Sequence, residues 1–162
     1  YEHMAYHDKL TGLPNRNKLS DGYQRLINSS QKVGILFIDL DHFKKVNDNY
    51  GHDVGDQLLI EIAERLKNGI RNNDIVVRHG GDEFIVITAI ENTQGVSILT
   101  NRLLTKINQP FKIGQEEIKI SASIGISVYP DDNKNLDELI KDADKAMYKA
   151  KNQGKNQLSF AK

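Results

Sequence analysis

The sequence predicts an α+β domain in which one open β-sheet has helices packed against it. Three observations carry this reading. Residues 33–40, VGILFIDL, form an almost unbroken apolar run, the pattern of a strand buried on both faces. Stretches with apolar residues at helical spacing alternate with short apolar runs in the order βαββαβ after a leading helix. Two further runs, 75–79 and 84–90, are joined by Gly80-Gly81, a hairpin signal. At 162 residues the chain is long enough for one domain with its own core, and its 38% apolar and 27% charged content is that of a globular protein.

The elements follow in chain order. Residues 2–9 read as the tail of a helix arriving from upstream, so that 1–10 form the end of a connecting helix and 11–162 the domain proper. The first Met is Met4, in keeping with a piece of a longer protein. Gly12 and Pro14 punctuate TGLPNR, and Asn15 can cap a helix reaching about Asn28. After the 33–40 strand, DHFKKVNDNYGHDVGD breaks the apolar pattern with polar residues and two glycines. Leu58, Leu59, Ile62 and Leu66 place a helix over about 53–69. The Gly-Gly hairpin comes next, followed by a helix over about 95–108 marked by Ile98, Leu99, Leu103 and Ile107. Residues 116–129 read as one strand with period-two character. Leu136, Leu139, Ile140, Ala143, Met147 and Ala150 make a helical stripe, and QLSF is a short closing strand.

This order has a spatial consequence. A strand, crossover helix and strand make the first two strands run the same way. The tip of the 75–90 hairpin then lies at the same end of the sheet as Asp39, where ligands of such sheets bind.

Composition narrows the function. Lys plus Arg and Asp plus Glu number 22 each, so no net field favours nucleic acid or an anionic membrane, and a polyanionic ligand needs a local cluster. The absence of cysteine excludes disulfides, zinc–cysteine sites and thiol catalysis. No apolar run approaches membrane-spanning length. A cytoplasmic domain is expected, whether or not a full-length protein is membrane-attached.

Asp39 and Asp41 end the first strand with like-facing side chains, and Asp82 and Glu83 join them from the hairpin. Clustered carboxylates repel one another and hold protons unless a cation sits among them. Oxygen ligands of this kind suit Mg²⁺, which uses one or two carboxylates together with substrate phosphates. Asp41 reads equally as the cap of the next helix. Gly80 and Gly81 remove side-chain bulk, so that a base or phosphate can approach the backbone. No GxxxxGK[ST] loop is present, so a nucleotide site here is not a P-loop.

RHGGDEF (78–84) closely resembles the signature of the GGDEF family, the bacterial diguanylate cyclases. DKLTGLPNR (8–16), FIDLDHFKKVNDNYGHDVGD (37–56), SIGIS (123–127) and ADKAMYKAKNQGKN (143–156) resemble that family's other blocks in order and spacing. The resemblance covers essentially the whole chain. It implies a fold like the nucleotidyl cyclase and polymerase palm, a central five-stranded, mostly antiparallel sheet surrounded by helices. It implies condensation of two GTP into cyclic di-GMP and two pyrophosphates by two domains facing each other as a homodimer. A sensory domain is expected upstream, with no nucleic-acid partner and no membrane insertion of the domain itself.

By matching position, Asp39, Asp82 and the Leu40 carbonyl resemble the ligands of two Mg²⁺ (or Mn²⁺) ions per site. Glu83 matches a catalytic acid serving as metal ligand or general base. Asn47 and Asp56 match a guanine-reading pair, although Asn47 alone reads as a turn residue. Phe43 and Lys44 match positions near the phosphates, and Lys151 and Lys155 a basic pair reaching the β- and γ-phosphates. Many relatives carry Arg where Lys155 stands, and Lys lacks the bidentate fork. Locally these lysines read as a basic helix end. His79 falls in a variable slot and is expected on the solvent side. RNND (71–74) fits the RxxD pattern of a product-inhibition site, with Arg71, Asp74 and Arg102 as its members. A regulatory module that binds GTP or cyclic di-GMP without synthesis is the alternative.

Overall fold

The computed structural model describes residues 6–162. In chain order the elements are α1 (Arg16–Ser29), β1 (Lys32–Asp41), α2 (Phe43–Tyr50), α3 (His52–Gly69), β2 (Ile75–Gly80), β3 (Glu83–Ile90), α4 (Thr93–Asn108), β4 (Phe111–Ile113), β5 (Glu116–Ile118), β6 (Ser121–Tyr129), α5 (Leu136–Asn152) and β7 (Gln157–Phe160). Asn15 caps α1 as expected, its side chain accepting from the Asn17 amide.

The main sheet has five strands in the order β2-β3-β1-β6-β7. β3 runs antiparallel to both β1 and β2, so β1 and β2 point the same way, and β6 is antiparallel to β1. Among the described residues only β7 pairs in parallel, along β6. The expected α+β architecture, a mostly antiparallel five-stranded sheet wrapped by helices, is what is found.

Alternation along β1 sorts the core into two layers. Leu36, Ile38 and Leu40 face Leu58, Ile62 and Leu66 of α3 and Leu103 and Ile107 of α4. Ile35 and Phe37 face Leu19, Tyr23 and Leu26 of α1 and Leu139, Ala143 and Met147 of α5. On this second side α5 lies directly on β6. A Cβ at Gly125 would collide with the Ala143 carbonyl and the Met147 amide of the helix.

Three segments differ from expectation. The polar break after β1 contains α2, whose only buried residue is Val46; so narrow an apolar contact leaves little periodicity to read. Residues 116–129 are not one strand. β5 leaves the sheet to pair with β4, a three-residue strand the sequence reading did not include, and β6 starts at Ser121. The expected helix over 2–9 falls partly on residues 1–5, outside the described residues. From His7 the chain forms a wide turn: His7 bridges Pro14, the Asp8 amide donates to the Leu13 carbonyl, and the Gly12 amide donates to the Asp8 carbonyl.

Candidate active site

The site is built where β1 ends beside the β2–β3 hairpin. Asp39 is the register partner of Glu83, and the Leu40 amide donates to the Asp82 carbonyl at 3.2 Å. Residues distant in sequence therefore meet, as the parallel course of β1 and β2 requires. Asp39 and Asp41 do share one face, that of α5. From α5, Lys151 reaches across: its Nζ lies 3.3 Å from Asp39, 3.1 Å from Asp41 and 3.4 Å from the Leu40 carbonyl.

The electrostatics follow from this crowding. Burial, and then the charge of Asp82, push Asp39 up to about 6 against the pull of Lys151. Burial and the neighbouring Asp39, Asp144 and Asp82 raise Glu83 as well. Asp41 goes the other way. Burial alone would raise it, but hydrogen bonds from Ser121, Ser123, Lys151 and Asn156 together hold it below the usual range. Lys151 is raised: its burial penalty is outweighed by Asp41 and Asp39.

Asp41 neither caps α2 nor completes a carboxylate cage. The N-cap of α2 is His42, without a side-chain cap bond. Among the described residues no three carboxylates or imidazoles stand together as a ready-made metal site. The oxygens available are those of Asp39, Leu40, Asp82 and Glu83. This set fits a hard divalent cation that shares its coordination with phosphate, because an ammonium has already been drawn to the Asp39 and Leu40 oxygens.

The hairpin tip leaves room for a ligand. Gly81 is left-handed with φ +50°, and a Cβ at Gly80 or Gly81 would meet nothing within 4 Å. Behind the tip, the Arg78 guanidinium donates from Nε and Nη2 to the Gly81 carbonyl (3.0 and 2.6 Å) and from Nη1 to Asp8 (3.1 Å). The Asp8 carboxylate also accepts from the Thr11 amide and hydroxyl. Nothing in the local sequence signals this link between the lead-in turn and the hairpin, whose partners lie 70 residues apart. His79, expected toward solvent, is half-buried. Its ring stands edge-on to Phe37 at 5.3 Å, because residue 79 shares the inward face with Val77.

On the opposite face of the sheet, Asn47 of α2 and Asp56 of α3 stand at a close helix crossing. A Cβ at Gly55 would strike Asn47 Oδ1, so Gly55 is what lets Asn47 lie beside the residue preceding Asp56. Phe43 packs on the core, while Lys44 is exposed on the first turn of α2. Lys155 lies past the end of α5 in a left-handed conformation, φ +64°.

The RNND loop forms a separate polar cluster. The buried Asp74 carboxylate accepts from the Arg71 amide at 3.0 Å and from its guanidinium. That guanidinium also donates to the Thr88 hydroxyl and the Ala89 carbonyl. Arg102 donates to the Gly69 carbonyl at 2.7 Å. Arg71 and Arg102 line a common cavity of about 840 Å³, whereas Asp74 lines a neighbouring one that Arg71 also borders.

A palm-like α+β domain with Asp39 paired in register with Glu83 beside a Gly-Gly turn defines the class. The chain belongs to the GGDEF-domain family: the family model described as "Diguanylate cyclase, GGDEF domain" matches residues 5–157. It is 45% identical over 161 residues to the bifunctional diguanylate cyclase/cyclic di-GMP phosphodiesterase MucR of Pseudomonas aeruginosa, covering 97% of this chain and 24% of that protein. It is 40% identical over 157 residues to the cyclic di-GMP phosphodiesterase PdeR of Escherichia coli, covering 96% of this chain and 24% of the relative. The chain thus spans about a quarter of these curated relatives. Among solved structures, the GGDEF domain of TpbB (YfiN) from Pseudomonas aeruginosa superposes with a TM-score of 0.91 at 33% identity, covering 96% of this chain and 94% of that one.

Proposed function

We propose that this domain is a diguanylate cyclase that condenses two GTP into cyclic di-GMP and two pyrophosphates. The observation that carries this reading is the meeting of Asp39 with Asp82 and Glu83 beside the unobstructed Gly80–Gly81 turn. Every acidic position of the family signature is filled. Asp39, the Leu40 carbonyl, Asp82 and Glu83 would hold two Mg²⁺ or Mn²⁺ ions. When bound, such ions neutralise the phosphates and acidify the attacking hydroxyl.

The chain's own residues do the rest. Asn47 and Asp56 read the guanine, Asp56 accepting from its N1 and N2 hydrogens. Lys44, Lys151 and Lys155 hold the phosphates beside Phe43, and Gly80 and Gly81 let the nucleotide lie against the backbone. The 3′-hydroxyl oxygen of one GTP bonds to the α-phosphorus of the other. The bond from that phosphorus to the β-bridging oxygen breaks, and pyrophosphate leaves. Glu83 either takes the hydroxyl proton or joins the metal ligands. A second, identical step closes the ring. Two copies of the domain are required, because each holds one GTP. Product returns to Arg71 and Arg102, with Asp74 holding the Arg71 guanidinium in place, and restrains the pairing. A sensory domain in the longer protein sets the activity.

The test is incubation of the domain, alone and fused to a dimerising tag, with GTP and Mg²⁺, and chromatographic resolution of the nucleotides. A guanine dinucleotide is expected, and it should fall at least about 10²-fold in Glu83→Ala. GTP recovered unchanged even from the tagged dimer would refute synthesis. In Arg71→Ala, product should accumulate beyond the level at which the parent stalls.

The likeness to PdeR, a protein named as a phosphodiesterase, favours one other reading: a module that binds GTP or cyclic di-GMP and regulates a neighbouring domain. Nucleotide binding without turnover in the same experiment identifies it.

A further inference from the structure

Asp41 is the most enclosed charge near the site, with no side-chain exposure. A buried carboxylate is costly unless donors surround it. Four do. Oδ2 accepts from the Ser121 hydroxyl at 2.6 Å and the Asn156 amide at 3.0 Å. Oδ1 accepts from the Ser123 hydroxyl at 2.7 Å and Lys151 Nζ at 3.1 Å. These donors come from β6, the last turn of α5 and the loop between α5 and β7.

That loop needs holding. Lys155 and Asn156 are consecutive left-handed residues with φ +64° and +51°, and neither is glycine. Such backbone persists only where its surroundings over-determine it. The Lys155 amide returns to the Ala150 carbonyl at 3.0 Å, and the next amide, that of Asn156, ends on Asp41. One carboxylate thus grips Lys151 by its side chain and Lys155 through the adjoining peptide.

We propose that Asp41 is a positioning residue. It anchors the α5–β7 loop so that Lys151 and Lys155 present their ammonium groups to the same phosphate chain. The proposal rests on the reading of both lysines as phosphate ligands under Proposed function. Asn at position 41 would turn an amide donor toward one pair of donors. The serines can rotate to accept it; neither the Asn156 amide nor the Lys151 ammonium can, so either orientation breaks one of the two links, and loss of the charge weakens the other.

Two measurements on Asp41→Asn test this: hydrogen exchange of residues 152–157, and steady-state kinetics with GTP and Mg²⁺. Exchange in the loop should quicken at least about tenfold while the β1–β3 amides stay protected. KM for GTP should rise about tenfold, with kcat changing less than about threefold. Lys155→Ala should raise KM without altering loop exchange, and the double variant should be no worse than Asp41→Asn, since the two changes disable one unit. Should Asp41→Asn fail to fold, Ser121→Ala with Ser123→Ala keeps the charge, removes two donors and should shift both readouts in the same direction. Unchanged loop exchange, or equal losses in kcat and kcat/KM with KM constant, overturns the proposal. A parent protein that does not turn over GTP would refute the cyclase reading instead, and loop exchange would still decide whether Asp41 holds the loop.

Discussion

At the scale of single residues, the side chains proposed to bind and react depend on neighbours that carry no chemistry. Asn47 is the plainest case. Its position beside α3 exists because residue 55 lacks a Cβ, which would otherwise collide with Asn47 Oδ1. Gly55→Ala should therefore weaken GTP binding about tenfold or more in a calorimetric titration, while the melting temperature moves little, since alanine favours the helix. The sequence shows Asn47 and Asp56 as types and spacing, but not the crossing that brings their helices together. Asp41 teaches the same point from the other side. Strand alternation correctly puts it on the face of Asp39. Its actual partners, Ser121, Ser123 and Asn156, lie about 80 to 115 residues away and become neighbours only through the β1–β6 pairing and the return of the chain into β7.

At the scale of elements, two contacts fix how the site's supports are mounted. The first is the seating of α5, which carries Lys151, on β6. Gly125→Ala places a methyl group into the helix backbone, where no side chain can yield. It should cost about 1–3 kcal/mol or more in denaturant unfolding, and it should lower turnover because Lys151 moves with the helix. The second is the Asp8–Arg78 pair. Burial alone would raise Asp8, but bonds from Thr11 and the charge of Arg78 together set it below its ordinary value. A carboxylate lowered by folding contributes stability that is full above its unfolded pKa and is lost as pH falls through the folded one. Asp8→Asn should thus destabilise the domain by about 1 kcal/mol at pH 7, and the gap to the parent should close in acid. Thermal melts at the two pH values measure it. The sequence marks the lead-in segment as turn chemistry at Gly12 and Pro14, yet gives no sign that Asp8 reaches a residue 70 positions on.

At the scale of the whole molecule, topology was the most legible property. The apolar run of β1, one crossover and a Gly-Gly turn suffice to put Asp39 beside Asp82 and Glu83, and the register agrees. What stayed hidden was whatever the periodicity signal was too short to carry. α2 buries one residue, β4 and β5 have three residues each, and the expected strand over 116–129 conceals the point where the chain leaves one sheet for another. Among the described residues no helix is long and apolar enough to cross a membrane. Since each domain is proposed to hold one GTP, the specific activity of the untethered domain should rise with protein concentration, and a dimerising fusion should abolish that dependence. Rate measurements over a hundredfold dilution series decide it.

The bridge from Asp8 through Arg78 to Gly81 has a mechanical meaning. A guanidinium is planar and stiff, and here it is held at both ends. It ties the lead-in turn to the Gly80–Gly81 turn. Because the same guanidinium holds both groups, Asp8 and the Gly81 carbonyl accept from one planar unit carried on β2. Cutting the bond at Asp8 should therefore be read at the hairpin tip: in Asp8→Asn, amide exchange at Gly81 and Asp82 should quicken while β1 stays protected.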